Sequence, residues 1–482
     1  MQESTFIGRK AELQELGKFL KKRSASLIVV QGRRRIGKSR LIREFGKKFR
    51  MLTFSGVPPS AKTTHRDQLN EFGWQLGKAL GGDSVKADDW NDLFFHLSEN
   101  TQQGRVIIVF DEISWMGSRD NNFLGKLKNA WDLHLKNNPE LIFIICGSAS
   151  AWIEKNILSS TGFLGRVSFA LTVEELPLNE CREFWSTREN HLSAYEKFKI
   201  LSVTGGVPLY LEEIDFQKPA EENINDLCFK RGGLLVREFE QIFSDLFTSR
   251  SSQYKAIVNC LADGPLEFGA ICEKLGVAKT GLISAYLFDL IKSGFLSRDY
   301  TWHIISGKPS PISHYRLKDN YLRFYLKYID PNLSDIEKNS YMPKSISSLT
   351  GWSSMMGFQF ENLILNNRQF VQHKLKIRPE DVVSENPFFQ HKTKRQPGCQ
   401  IDYLIQTRFN NLFACEIKFS RQEIKPDIIQ EMKRKIENLA KPRGFSCFPV
   451  LIHVNGVSDS VVDSNYFAEI IDFSEIIEGS HN

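Results

Sequence analysis

Residues 31–40 read QGRRRIGKSR, between the apolar run SLIVVQG (26–32) and the amphipathic stretch SRLIREFGKKF (39–49). They contain the spacing Gly32-x-x-x-x-Gly37-Lys38-Ser39. Glycines let consecutive backbone amides turn inward around phosphate oxygens, a lysine reaches the β- and γ-phosphates, and a serine offers its hydroxyl to Mg²⁺. A strand before the loop and a helix after it are the context this chemistry needs, because the helix presents its positive end to the anion. The stretch Gly32, Arg33, Arg34, Arg35, Ile36, Gly37, Lys38, Ser39 and Arg40 is therefore a candidate nucleotide cradle. The pattern leaves positions 33–35 open, and two readings of the arginines stand: added charge near a triphosphate, or projection into solvent.

Two further apolar runs occur downstream, RVIIVFDE (105–112) and LIFIICGSA (141–149). Continuous β-branched runs suit parallel strands buried on both faces, with helices as crossovers. The first half of the chain thus reads as an α/β sheet. Asp111 and Glu112 end the second run, where an Asp can hold a Mg²⁺ shell and the adjacent Glu can orient or deprotonate a water. Ser148 emerges from the third run, either to contact the γ-phosphate or the attacking water, or as an ordinary strand-end serine.

Composition sets the frame around these motifs. A chain of 482 residues is too long for one compact core, and 41% apolar with 25% charged residues is ordinary for a soluble globular protein. No run of about 18 apolar residues is present and MQESTFIGRK has no signal-peptide core, so a cytoplasmic protein without a membrane span is expected. The cysteines at 146, 181, 228, 260, 272, 399, 415 and 447 lack zinc spacing and read as reduced thiols. A net charge of +6 permits nucleic-acid contact without demanding it.

The ordered set FIGRKAELQEL (6–16), GRRRIGKS (32–39), VIIVFDEISWM (106–116), IICGSASAW (144–152), GFLGR (162–166), LTVEELPLNECREFW (171–185) and TGGVPLYL (204–211) resembles the AAA+-type archaeal ATPase family of P-loop NTPases. The resemblance implies ATP and Mg²⁺ as ligands, with Lys38, Ser39, Asp111, Glu112 and Ser148 around the triphosphate. It also implies that FIGRKAELQEL packs near the adenine. Arg166 is similar to the family's arginine before the lid, a finger that reaches a neighbouring subunit's γ-phosphate, so a homo-oligomer is expected; a surface salt bridge is the other reading. TGGVPLYL carries no arginine where many AAA+ proteins place a second sensor.

From about Glu174 to Thr248 the pattern is helical. Beyond Ser251, the turns at Asp263-Gly264-Pro265, Gly276 and Gly294 divide helix, helix, helix and hairpin, the layout of a winged helix-turn-helix. Such modules commonly put the third helix in the DNA major groove. Here AKTGLISAYLFDLIKSGF offers little for base reading beyond Lys279, Thr280, Ser284 and Lys292, so DNA contact stands beside a role in transmitting the ATPase state or in assembly. The polar segment 334–352 bridges to a third region.

In that region IDYLIQT (401–407) and LFACEIKF (412–419), separated by a turn, read as a β-hairpin. Side chains alternate along a strand, so Glu416 and Lys418 share a face. An Asp and a Glu on adjacent strands can share Mg²⁺ or Mn²⁺, and charge inside an apolar strand is costly unless paired or metal-bound. Asp402, Glu416 and Lys418, with Glu361 from the helical GFQFENLIL (357–365), resemble the PD-(D/E)xK nuclease superfamily. The order of modules looks like the C-terminal domain called DUF234. Gln400-Ile401 replaces the usual proline before the Asp. The resemblance implies Asp402 and Glu416 as ligands of a second divalent metal, with either retained catalysis or an inactive domain whose charges form ion pairs. HKTKRQ (391–396) is either a phosphate-backbone contact or a solvated loop.

The expected architecture is α/β: a P-loop NTPase parallel sheet with a helical lid over residues 1–248, a winged helix-turn-helix over 249–335, and a restriction-endonuclease-like α/β domain over 336–482. The expected activity is Mg²⁺-dependent ATP hydrolysis controlling a DNA-binding and nuclease-type module. The alternative is an ATP-driven regulatory or assembly switch with an inactive nuclease-like domain.

Overall fold

A computed structural model describes residues 6–58, 60, 62–148, 150–186, 191–247, 251–394 and 396–479. It divides into two compact units, one of residues 1–175 with 292–294, the other of residues 176–291 with 295–482.

The first unit is built on a five-stranded parallel sheet of β1 (Ser26–Gln31), β2 (Arg50–Ser55), β3 (Val106–Asp111), β4 (Ile142–Gly147) and β5 (Val167–Thr172), in the order β2-β3-β4-β1-β5. The three strands read from apolar runs are the interior ones, buried along nearly their whole length. The two edge strands alternate in burial, and their mixed sequences RMLTFS and VSFALT carry only a weak strand signal. On one face of the sheet, Phe54, Phe72, Trp90, Phe94, Phe110, Phe123 and Phe143 pack into one core cluster. Edge-to-face pairs such as Phe72–Phe110 (5.3 Å) and Phe110–Phe143 (4.8 Å) suit the aromatic quadrupole.

The second unit begins at Leu176; residues 248–250, where a boundary was expected, lie outside the described residues. The physical reason is burial. The helices of the segment 178–243 press aromatic faces against the segment 320–365: Phe239 stacks on Tyr325 at 4.3 Å, Phe198 meets Phe360 at 5.4 Å, and Tyr210 meets Tyr321 at 5.7 Å. Nor do contacts thin out at 335. Gln359, fully buried, donates to the carbonyls of Ser202 (2.7 Å) and Asn320 (2.6 Å) and accepts from Arg323 (2.7 Å), which ties segments on both sides of 335 together.

Residues 251–317 form helices Ser251–Cys260, Phe268–Lys274 and Gly281–Lys292 with an antiparallel sheet ordered β6 (Leu266–Glu267), β8 (Pro309–Leu317), β7 (Leu296–Trp302). This is the element order read from the turn signals. The hairpin β7–β8 is built into the next layer: Trp302 and Ile304 belong to the hydrophobic core of the C-terminal sheet. Trp302 Nε1 donates to Gln406, whose Nε2 donates to the Ile304 carbonyl at 2.8 Å, and Ser384 donates to the Gly307 carbonyl at 3.1 Å.

The C-terminal sheet is mixed, in the order β13-β12-β11-β10-β9: β9 (Val382–Gln390), β10 (Cys399–Thr407) and β11 (Asn411–Phe419) are antiparallel, while β11, β12 (Ser446–Val454) and β13 (Glu469–Asp472) are parallel. The expected hairpin is β10–β11. Phe360 of helix Trp352–Asn366 packs on Phe419 at 5.2 Å, while Ile428 and Met432 of helix Asp427–Asn438 enter the core with Leu412 and Ala414. The described residues include no helix long and apolar enough to cross a membrane, and all eight cysteines are free thiols.

Because Trp302 fills this second core and donates to the Gln406 amide oxygen, Trp302→Ala removes a ring and leaves that buried oxygen without its donor. The expected loss is about 3–5 kcal/mol of stability in denaturant unfolding monitored by circular dichroism. Trp302→Phe, which keeps most of the ring, should lose clearly less.

Candidate active site

All strands of the first sheet run parallel, and β4 pairs with β1 on one side and β3 on the other. The carboxyl ends of β1, β3 and β4 therefore open on one edge, where ligands of open α/β sheets bind. The loop 32–37 leaves β1 and enters helix Lys38–Gly46, which places the phosphate cradle at a helix N-terminus. Gly32 cannot carry a side chain, since a Cβ there would lie 2.3 Å from the Val173 carbonyl oxygen. Gly37 sits at φ 88° and Arg35 at φ 68°, so the loop holds a left-handed kink at a non-glycine position as well.

Within this edge the expected side chains meet. Ser39 Oγ donates to Asp111 Oδ2 at 2.8 Å. Ser148 Oγ donates to the Glu112 carboxylate, with oxygen separations of 3.1 and 3.0 Å, and the Ser148 amide adds a 3.3 Å contact. Glu112 is held at φ 50° just after β3, and its amide donates to Asp111 Oδ1 at 3.0 Å, so the two carboxylates are fixed relative to each other. Lys38, 7% exposed, donates to the carbonyls of Gly32 (2.8 Å) and Arg33 (2.9 Å), which lays its ammonium across the loop. A hydroxyl and a carboxylate at hydrogen-bond distance are hard oxygen donors of the kind that bind Mg²⁺ together with substrate phosphates. The residues present therefore fit that ion.

The arginines of the loop differ from one another. Arg33 is buried and pairs with Glu175 at 3.1 Å, whereas Arg34 and Arg35 are half-buried. Ile36 is fully buried and Arg40 half-buried. Beside the loop stands a residue that sequence reasoning did not single out, Arg9. It is 3% exposed; its guanidinium donates to the Ile36 carbonyl at 2.9 Å, to the Glu174 carbonyl at 2.6 Å and to Glu12 at 2.8 Å. One side chain thus ties the N-terminal segment, the phosphate loop and the chain beyond β5 together. The motif FIGRK contains it, but nothing local tells that its partners lie 27 and 165 residues away.

Arg166 is engaged within the chain. Its Nε and terminal nitrogen lie 2.8–3.0 Å from the Asp132 carboxylate, which Lys128 also reaches at 2.9 Å. The Arg166 guanidinium holds the Asp132 carboxyl well below the usual carboxylate range. In and just before helix Gly281–Lys292, Lys279, Thr280 and Ser284 are exposed and Lys292 half-buried; Leu282 (53% exposed) and Val277 (43%), the latter before the helix, are exposed too. In HKTKRQ, His391 pairs with Glu267 at 2.5 Å, Lys392 and Lys394 are exposed, and Arg395 lies outside the described residues.

The C-terminal carboxylates also meet. The register Tyr403↔Cys415 brings Asp402 and Glu416 to neighbouring positions on β10 and β11, and Asp402 Oδ2 accepts from the Ile417 amide at 3.0 Å. Lys418 Nζ lies 2.8 Å from Glu416 and 3.1 Å from Glu431. Lys435, absent from the expected set, lies 2.5 Å from Glu416 Oε2 and 3.5 Å from Asp402 Oδ1. Burial, and after it the charge of Asp402, pushes both Glu361 and Glu416 above the usual carboxylate range. Burial alone would lower Lys418 and Lys435, but the surrounding carboxylates outweigh it and raise both. An ammonium already bridges the two carboxylates that a second divalent ion would share, so these residues do not fit that ion.

Several known proteins are similar to parts of this chain. The model of the family described as "ATPase domain predominantly from Archaea" matches residues 6–214. The uncharacterized protein MJECL04 of Methanocaldococcus jannaschii is 27% identical over 365 residues, 74% of this chain and 76% of that protein. Among solved structures, the Walker-type ATPase PABY2304 of Pyrococcus abyssi matches 67% of this chain and 96% of its own at 17% identity and a TM-score of 0.49. The ORC2 protein of Aeropyrum pernix, in its ADPNP–ADP complexes, matches 70% of this chain and 97% of its own at 15% identity and a TM-score of 0.40. The phosphate loop and the strand-end carboxylates all lie within residues 6–214, the segment that is similar to the ATPase family found predominantly in Archaea.

Proposed function

We propose that the protein is a Mg²⁺-dependent ATP hydrolase working as an ATP-driven regulatory or assembly switch. The observation that carries the hydrolytic reading is the paired contact Ser39–Asp111 and Glu112–Ser148 at the edge of the sheet that opens beside the phosphate loop. Lys38 and the loop amides would hold the β- and γ-phosphates, and Ser39 with Asp111 would hold Mg²⁺, which neutralises phosphate charge when bound. Glu112, oriented by Ser148, would align the water that attacks the γ-phosphate and accept its proton. Arg9 keeps the loop in register with the chain around Glu174. In an assembly, Arg166 would exchange Asp132 for a neighbour's nucleotide; Leu164, 73% exposed in the same turn, supports a surface meant to be covered.

Two observations favour a switch over a nuclease. The winged module has its hairpin built into the C-terminal core, and its third helix, Gly281–Lys292, presents apolar Leu282 and Phe288 beside few polar groups, which suits a protein partner better than base edges. The carboxylates of the C-terminal sheet are neutralised by lysines. Nucleic acid remains the competing partner, and stimulation of turnover separates the two. On the switch reading, duplex DNA leaves the ATPase rate unchanged; a several-fold, salt-sensitive increase would move the reading to a DNA-controlled ATPase.

For the site itself, Lys38→Ala should abolish ATP binding in calorimetry. Glu112→Gln should bind ATP but hydrolyse it about 10²–10⁴-fold more slowly; near-normal phosphate release would remove Glu112 from its role. Ser148→Ala should lower kcat with little change in KM. Arg9→Ala, which leaves two carbonyls without their donor, should weaken ATP binding by about tenfold, equal to about 1.4 kcal/mol.

A further inference from the structure

We infer that Lys435 stands in place of a divalent cation in the C-terminal sheet, so that this cluster of nuclease type is completed by an internal ammonium and takes no metal while that lysine is present. The inference extends the switch reading above to the C-terminal domain, and does not depend on ATP chemistry.

The geometry is specific. A Mg²⁺ or Mn²⁺ ion joining Asp402 to Glu416 would sit roughly 2.0–2.2 Å from an oxygen of each. Lys435 Nζ lies between the same two groups, 2.5 Å from Glu416 Oε2 and 3.5 Å from Asp402 Oδ1. The other Asp402 oxygen accepts the Ile417 amide, and Glu416 Oε1 faces Lys418 Nζ at 2.8 Å. Glu416 is 1% exposed, so the cluster is closed to bulk water on that side. A buried carboxylate must be compensated, and here two ammonium groups supply the charge that a metal would otherwise bring.

Lys435 is not a surface lysine that has folded inward by chance of rotamer. Its helix, Asp427–Asn438, is anchored one turn earlier by Met432, fully buried, and by Ile428. The Lys435 carbonyl accepts from Cys399 Sγ at 3.2 Å, and Glu431, one turn before it, lies 3.1 Å from Lys418. The backbone under Lys435 is thus fixed to β10 and the core, and its ammonium is held by the ion pairs with Glu416 and Asp402. A cation at that place and the lysine exclude each other.

The test counts ions and not products. In the full chain carrying Asp111→Asn, without nucleotide, Mn²⁺ binding is measured by the electron paramagnetic resonance of the free ion. Adding Lys435→Gln should create a site with Mn²⁺ affinity at least about tenfold above the Asp111→Asn chain, and adding Asp402→Asn should remove it again. Lys435→Arg, which keeps a cation in place, should bind no more Mn²⁺ than the Asp111→Asn chain. Should Lys435→Gln fail to fold by circular dichroism, Lys435→Met serves in its place. Tight Mn²⁺ on the Asp111→Asn chain that is lost with Asp402→Asn would overturn the inference, as would a folded Lys435→Gln or Lys435→Met chain with no gain. Neither result depends on ATP turnover, so its failure is distinct from failure of the ATPase reading.

Discussion

The position of β4 between β1 and β3 is the constraint on which the ATP site depends. Because all three strands are parallel, their carboxyl ends are forced to the same edge, and each strand delivers its own group there: the loop 32–37 from β1, the pair Asp111–Glu112 from β3, and Ser148 from β4. These groups come from three separate stretches of sequence, yet Ser39 meets Asp111 and Glu112 meets Ser148 within hydrogen-bond distance. The apolar runs that make these strands buried on both faces are thus also what positions the chemistry. Arg9 completes the arrangement from outside the sheet, since its guanidinium donates to the carbonyls of both Ile36 and Glu174.

The second unit obeys a different logic, in which buried polar groups join segments far apart in the chain. Gln359 links carbonyls at 202 and 320, and Arg316 pairs with Asp299 at 2.7 Å inside the hairpin layer. Asp299 lies deep in the protein, and although burial would raise its carboxyl, Arg316 outweighs that and holds it below the usual range. Such networks are costly if half-satisfied, and they specify one arrangement when complete. They explain why helices from 178 onward belong with the C-terminal residues, and why the hairpin β7–β8 is sealed by Trp302. The lysine-bridged carboxylates of β10 and β11 are the same device in its most charged form.

How much of this was legible in the sequence depended on the distance over which each signal acts. The phosphate loop, Asp111–Glu112 and the strands under them announce themselves locally, because a Gly-x-x-x-x-Gly-Lys-Ser turn and unbroken apolar runs have few alternative uses. The edge strands β2 and β5 escaped, since strands with one face partly exposed mix polar with apolar residues. Asp402, Glu416 and Lys418 stood out as charges within apolar strands, and they do meet. Lys435 did not, because QEMKRKIEN reads as an ordinary charged helix whose buried face is defined only by what it packs on. Distance hides the aromatic contacts of the second unit in the same way: faces at 198, 210 and 239 look like a lid until their partners at 321, 325 and 360 are known.

The central claim is that the strand-end carboxylate beside the phosphate loop turns a nucleotide cradle into a Mg²⁺-dependent hydrolase. The most direct measurement is phosphate release from the full chain at saturating ATP across a Mg²⁺ titration, wild type against Asp111→Asn. The account predicts steady turnover in the wild type that EDTA abolishes, and in Asp111→Asn a loss of at least about 10²-fold in kcat with a raised Mg²⁺ requirement. Equal turnover and equal Mg²⁺ dependence in the two proteins would contradict it.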